Sequence, residues 1–140
     1  MHQQHGFAPE NRERFAALCV LYSWCGCWSD HQFIYGNSAP HLVYSVDHGH
    51  FFPSGPNWTA ATLQTAPQAI QDSNFDGLTL TDAELRPARR RLSDVTPQQI
   101  ADAVAALPYE WGHALQVRIA LAEYLLRRKM QLDALWAPLV

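Results

Sequence analysis

The stretch Val46–Thr59, VDHGHFFPSGPNWT, puts one Asp, two His, two Phe, two Pro and two Gly into fourteen positions. It follows HLVYSV, His41–Val46, which reads as a strand. An earlier short strand is expected at Gln32–Tyr35, with a turn at Gly36–Pro40. Together these predict a β-hairpin with a loop of about five residues. A carboxylate, Asp47, then sits just past the second strand, and a stiff aromatic loop follows it. Pro53 and Pro56 exclude a helix from that loop.

Outward from the hairpin the pattern turns helical. Phe15, Leu18, Cys19, Leu21, Tyr22 and Cys25 recur at helical spacing and predict a helix over Pro9–Trp24 that Gly26 ends. Arg12 and Arg14 lie off that stripe. Asn57 is placed to cap a helix from Trp58 to about Thr65. TAPQAIQDSNFDGL, Thr65–Leu78, reads as loop or broken helix. Thr81 with Glu84 has the capping-box spacing, and Pro87 then leaves a short helix or two turns. Thr96, followed by Pro97, starts a helix whose apolar face is Ile100, Ala103, Val104 and Leu107, with Pro108 ending it. PYEWG, Pro108–Gly112, is a structured connection, and His113 a helix-start residue. A last helix is expected over Ala114–Met130, with Leu115, Ile119, Ala122, Leu126 and Met130 on one face, Leu121 and Leu125 beside it, and Arg127, Arg128 and Lys129 in its final turn. The expected fold class is mainly α with one small β-hairpin (α+β): a loose tail over residues 1–8 and a single domain over 9–140.

The 140 residues suit one domain or a piece of a larger protein. At 48% hydrophobic and 11% aromatic the chain is not of a disordered class. A net charge of −3 favours neither DNA nor an anionic membrane. No apolar run approaches the roughly 20 residues of a membrane span, and MHQQHGFAPENRERF lacks the apolar core of a signal peptide. Three Cys, an odd number, argue against a disulfide framework and for a reducing, cytoplasmic setting.

Asp30 precedes the first strand and Asp47 follows the second, so an antiparallel pair would bring their ends together. Two such carboxylates suit phosphoryl transfer, one orienting the attacking hydroxyl and one holding Mg²⁺ on nucleotide phosphates. Gly49, between His48 and His50, lets the backbone turn after the metal-binding position. Two other readings stand beside this. Asp-His-Gly-His is also ordinary turn chemistry above a buried Phe pair. Cys25, Cys27, His31, His48 and His50 could instead form a zinc cluster, although C-x-C and H-x-H are not the usual ligand spacings, and free Cys packs well as a small hydrophobe. Arg86 and Arg89–Arg91 read as a solvated helix face. Trp58 and Trp111 read as anchors of the helical core.

With these residues in place, LCVLYSW, WSDHQFIY and HLVYSVDHGHFFPSGPNWT together resemble the C-terminal lobe of HipA-like kinases, bacterial relatives of the HipA toxin kinase and, more distantly, of phosphatidylinositol 3/4-kinases. The likeness spans roughly Asn11–Leu132. It implies a kinase-like lobe in which Asp30 is the catalytic residue, Asp47 the metal ligand, and Gln32 and His48 contact the nucleotide cofactor, Mg-ATP. It also implies that the aromatic loop is an activation segment pinned on the helices, with Trp58 as its plug. The chain has no glycine-rich loop, and its only Lys is Lys129. Where that family places an Asn about five residues after the catalytic Asp, Tyr35 stands here. The resemblance therefore implies a Ser/Thr kinase lobe that needs a protein partner supplying the missing phosphate-cradling lobe. The alternative is a non-catalytic, degenerate lobe that binds another protein.

Overall fold

The computed structural model describes residues 8–27, 32–66, 74–75 and 78–137. Pro9–Cys25 forms helix α1, with Pro9 in the first turn and Gly26 ending it in the left-handed conformation at φ 76°. A Cβ at Gly26 would collide with the Tyr124 hydroxyl, so glycine is required there by space as well as by φ. Gln32–Tyr35 (β1) and Val43–Val46 (β2) pair antiparallel, with Gln32 opposite Val46 and Tyr35 opposite Val43. The second strand is shorter than its apolar run suggested, and the connection runs from 36 to 42. His41 lies at φ 53°, which breaks the extended backbone, and the Ala39–Pro40 bond is cis.

The loop after β2 holds two 3-10 turns, His48–His50 and Gly55–Asn57, the second built around Pro56. Pro56 thus excludes an α-helix but not a single tight turn. The next helix, α2, spans Ala60–Gln64 and is capped by Thr59 rather than Asn57. Thr59 wins because Thr62 returns its bond: the Thr59 hydroxyl accepts from the Thr62 N–H while Thr62 Oγ1 accepts from the Thr59 N–H. Within the span read as loop, Asn74–Phe75 (β3) and Leu78–Thr79 (β4) pair antiparallel. Two-residue strands carry no period for sequence reading to find.

Helix α3, Asp82–Ser93, has the expected Thr81–Glu84 capping box and runs unbroken through Pro87. One missing N–H bond is tolerated because Leu85, Ala88 and Leu92 are buried on either side of the proline. Helix α4, Pro97–Ala105, has the expected Thr96 cap and buries Ile100 and Val104, whereas Ala103 faces solvent. Tyr109–Trp111 is a 3-10 turn, closed by Gly112 at φ 70°.

The last helix, α5, spans Leu115–Trp136, a turn and a half beyond Met130, and its buried face is not the expected one. Leu115 is 68% and Met130 71% exposed, while Arg118, Leu121, Tyr124, Arg128, Leu132 and Trp136 are buried. Two arginines therefore occupy core positions. Arg118 donates to the carbonyls of Leu107, Pro108 and His113. Arg128 donates to the Ser23 carbonyl, and Ser23 Oγ in turn donates to Cys19 O at 2.8 Å. Arg128 lies mid-helix, so its task is to lock α5 to α1, not to complement a helix end. Arg89 likewise departs from the solvated face assigned to it. It is buried, bonds Asp82 at 2.9 Å and stacks 5.5 Å from the Trp136 ring. Trp111 is 63% exposed, so Trp136 anchors the helical core in its place.

Among the described residues, three apolar clusters result. One joins α1 to the hairpin and α3 through Phe15, Cys19, Tyr22, Val43, Leu80 and Leu85. A second joins α1, α3 and α5 through Val20, Ala88, Leu132 and Trp136. The third joins α2, α4 and α5 through Leu63, Val104, Leu121 and Tyr124. The chain is predominantly helical with small antiparallel sheets, an α+β arrangement in which α1 touches every cluster except the third. Among the described residues, no helix is long and apolar enough to cross a membrane.

Candidate functional site at the hairpin mouth

The hairpin is fastened to α1 by polar side chains as well as by packing. Asn11, fully buried, donates to His41 O at 3.1 Å and accepts from the Val43 N–H at 2.8 Å. Arg14 Nε donates to Val43 O at 2.7 Å. The Tyr22 ring lies between Phe33 and Phe51, with centroids 6.4 and 5.5 Å away. Its hydroxyl shares a hydrogen bond with Ser45 Oγ, and burial raises its pKa. Ser45 Oγ is 2.9 Å from His48 Nε2, so a polar chain runs from the core through Ser45 to the surface imidazole. The His48 ring rests 4.7 Å from that of Phe51.

Asp47 leaves β2 in the left-handed conformation at φ 55°. Gln32 Nε2, from the facing strand, donates to Asp47 Oδ2 at 3.0 Å. Oδ1 has no partner among the described residues. The side of Asp47 next to Gly49 stays open, since even a Cβ there would lie 3.6 Å from Oδ1. Three of the four residues singled out from the sequence, Gln32, Asp47 and His48, therefore cluster at the hairpin mouth. Asp30 and His31 lie outside the described residues, and so does the expected approach of Asp30 to Asp47.

The loop beyond is strained and held. Phe52 at φ 70° and Ser54 at φ 77° share the unusual backbone of Asp47. Non-glycine residues in this region cost on the order of 1–3 kcal/mol and persist only where the surroundings fix them. The Phe52 N–H donates to Cys25 O at 3.1 Å, and its ring meets those of Trp58 and Tyr124 at 5.7 and 6.1 Å. Trp58 in turn stacks 5.4 Å from His113. The segment is pinned on the helices as expected, by Phe52 as much as by Trp58. His113 faces this aromatic stack, before the start of α5.

One exposed carboxylate with a free oxygen fits Mg²⁺, which takes one or two protein carboxylates and fills its sphere with phosphate and water oxygens. A thiolate site fits less well. Cys25 and Cys27 are buried, and burial, with Cys27 nearby, pushes the Cys25 thiol up to about 12. Among the described residues, no three His, Cys, Asp or Glu side chains gather to hold a metal. Sequence reading missed Ser45 and Tyr22, whose signal was a hydroxyl on the inward face of β2 three residues before His48. No family model, no curated protein and no solved structure matches this chain.

Proposed function

We propose that the hairpin mouth is the metal- and phosphate-holding end of a phosphotransfer lobe of the HipA-like kind, acting with Mg-ATP and completed by a second polypeptide. The observation that carries this reading is Asp47: a carboxylate at a strand end, in a strained backbone conformation, oriented by Gln32 and presenting a free oxygen to solvent. Asp47 would hold the metal. Gln32 would fix the carboxylate, and His48, steadied by Ser45, would face the nucleotide. Asp30 would take the acceptor hydroxyl's proton. A partner must supply the phosphate cradle, because each charge-assisted bond it contributes is worth about 1.5–3 kcal/mol. Three such bonds amount to roughly 10³–10⁶ in transition-state affinity.

Manganese, a paramagnetic substitute for magnesium, makes weak binding measurable. Amide spectra titrated with Mn²⁺, alone and with ATP, should lose signal around Gln32, Asp47 and Gly49, more strongly with ATP. Asp47→Asn should remove the effect. Broadening that is scattered over other carboxylates, or that survives the substitution, would overturn the assignment.

A further inference from the structure

We infer that the groove between α1 and the outer edge of β2 binds an extended peptide segment that pairs with the strand edge and sets a carboxylate on Arg14. The Gly36 N–H donates to Leu42 O at 2.9 Å, so Leu42, Tyr44 and Val46 turn their backbone groups toward β1. Val43 and Ser45 turn theirs the other way. At Val43 both groups are already taken, the N–H by Asn11 and the carbonyl by Arg14. At Ser45 neither the N–H nor the carbonyl has a partner among the described residues. Ser45 thus offers one donor and one acceptor at an open strand edge, the feature that strand addition uses.

That edge borders a groove of about 410 Å³ whose α1 wall is Ala17, Leu18 and Leu21. The apolar wall suits alternate side chains of an extended segment, which fall on one face of a strand. Arg14 closes one end. Its Nε is held by Val43 O, and its guanidinium lies 4.8 Å from the Tyr44 ring centroid. Its two terminal nitrogens have no partner among the described residues. A cation already oriented by a hydrogen bond and a ring face, with its fork unused, matches a carboxylate. The charge complementarity selects an acidic and apolar partner over a basic one. This docking does not require Asp47 to hold a metal.

Phage-displayed random short peptides selected on the intact protein test the inference. Enriched sequences should alternate apolar residues and carry an acidic residue or a free C-terminal carboxylate. A synthesised winner should shift the Ser45 amide resonance. Its affinity should fall about tenfold or more for Arg14→Gln, and also for Ala17→Glu, a change at an exposed helix position that leaves the core untouched. Methylating the backbone nitrogens of the peptide should weaken it similarly. Any of four outcomes overturns the inference: no enrichment over the Ala17→Glu protein, predominantly basic winners, winners that leave the Ser45 amide unmoved, or an edge occupied by a second copy of this chain in sedimentation.

Discussion

Glu84→Gln isolates one ion pair that ties α1 to the start of α3. Glu84 accepts from Arg12 Nε and, at 2.9 Å, from Arg12 Nη2. It also closes the capping box by accepting from the Thr81 N–H at 2.8 Å. The Arg12 bond, then the Thr81 bonds, lower its carboxyl from 4.5 to about 2. A folded-state pKa below the unfolded value means the stabilisation is complete above about 4.5 and drains away as pH falls toward 2. At about 1.4 kcal/mol per pK unit the displacement sets a ceiling of about 3 kcal/mol. The two side chains keep 26% and 28% of their surface, and solvent screening brings the expected value nearer 1 kcal/mol. Glutamine still serves the capping box, so the substitution removes charge and little else. Urea titrations of both proteins should differ by about 1 kcal/mol near neutral pH, and the gap should close between 4.5 and 2. Other carboxylates titrate alike in both proteins and cancel. Parallel stability curves through that window would refute the role assigned to the pair.

The inverted face of α5 and the buried thiols give two further tests. Leu121→Ala should cost about 2–5 kcal/mol in urea unfolding, while Ile119→Ala, on the face favoured by sequence periodicity, should stay within about 0.5 kcal/mol. The reverse order would mean that α5 is rotated. Cys19, Cys25 and Cys27 should resist a thiol-specific reagent at mildly alkaline pH until denaturant is added, because burial both shields them and keeps the Cys25 thiol protonated. Rapid labelling of any one of them in the folded protein would contradict the packing of α1.

Caps and breakers were legible because they act locally. Gly26, Thr81 with Glu84, and Thr96 with Pro97 each do what their residue types dictate over a few positions. The hairpin was legible from its apolar runs, and Gln32, Asp47 and His48 came out together because a strand pair leaves its ends adjacent. The rotation of α5 was not. Its sequence carries apolar residues nearly all round, so the choice of face falls to what each side meets. The Leu121, Tyr124, Arg128 and Leu132 side meets α1, α2, α3 and α4. Burying Arg128 is tolerable because the Ser23 carbonyl accepts from it, a partner 105 residues away that no local pattern encodes. Arg89 hid in the same way, as one of three consecutive arginines of which one turns inward onto Trp136.

Strain and support coincide at the hairpin mouth. A polar surface turn has no need of a phenylalanine in the left-handed region, nor of a buried tyrosine hydroxyl leading through Ser45 to an exposed imidazole. Here Asp47, Phe52 and Ser54 all hold costly backbone angles within eight positions. Several of the contacts that hold this region trace to the end of α1 or to the helices packed on it: Tyr22 to Ser45, Cys25 O to the Phe52 N–H, and Tyr124 against Phe52; Gln32 from β1 and Trp58 from the loop itself supply others. Gly55 completes the loop at φ 55°, where a Cβ would press within 3.0 Å of the His50 ring. A loop free to relax would give up those angles. Retaining them keeps the Asp47 carboxylate and the His48 ring in set positions before any ligand arrives, which reduces the ordering cost of binding one. The candidate metal position and the peptide groove share Ser45 and His48 as their common boundary. A peptide drawn onto the Ser45 edge would therefore lie beside Asp47.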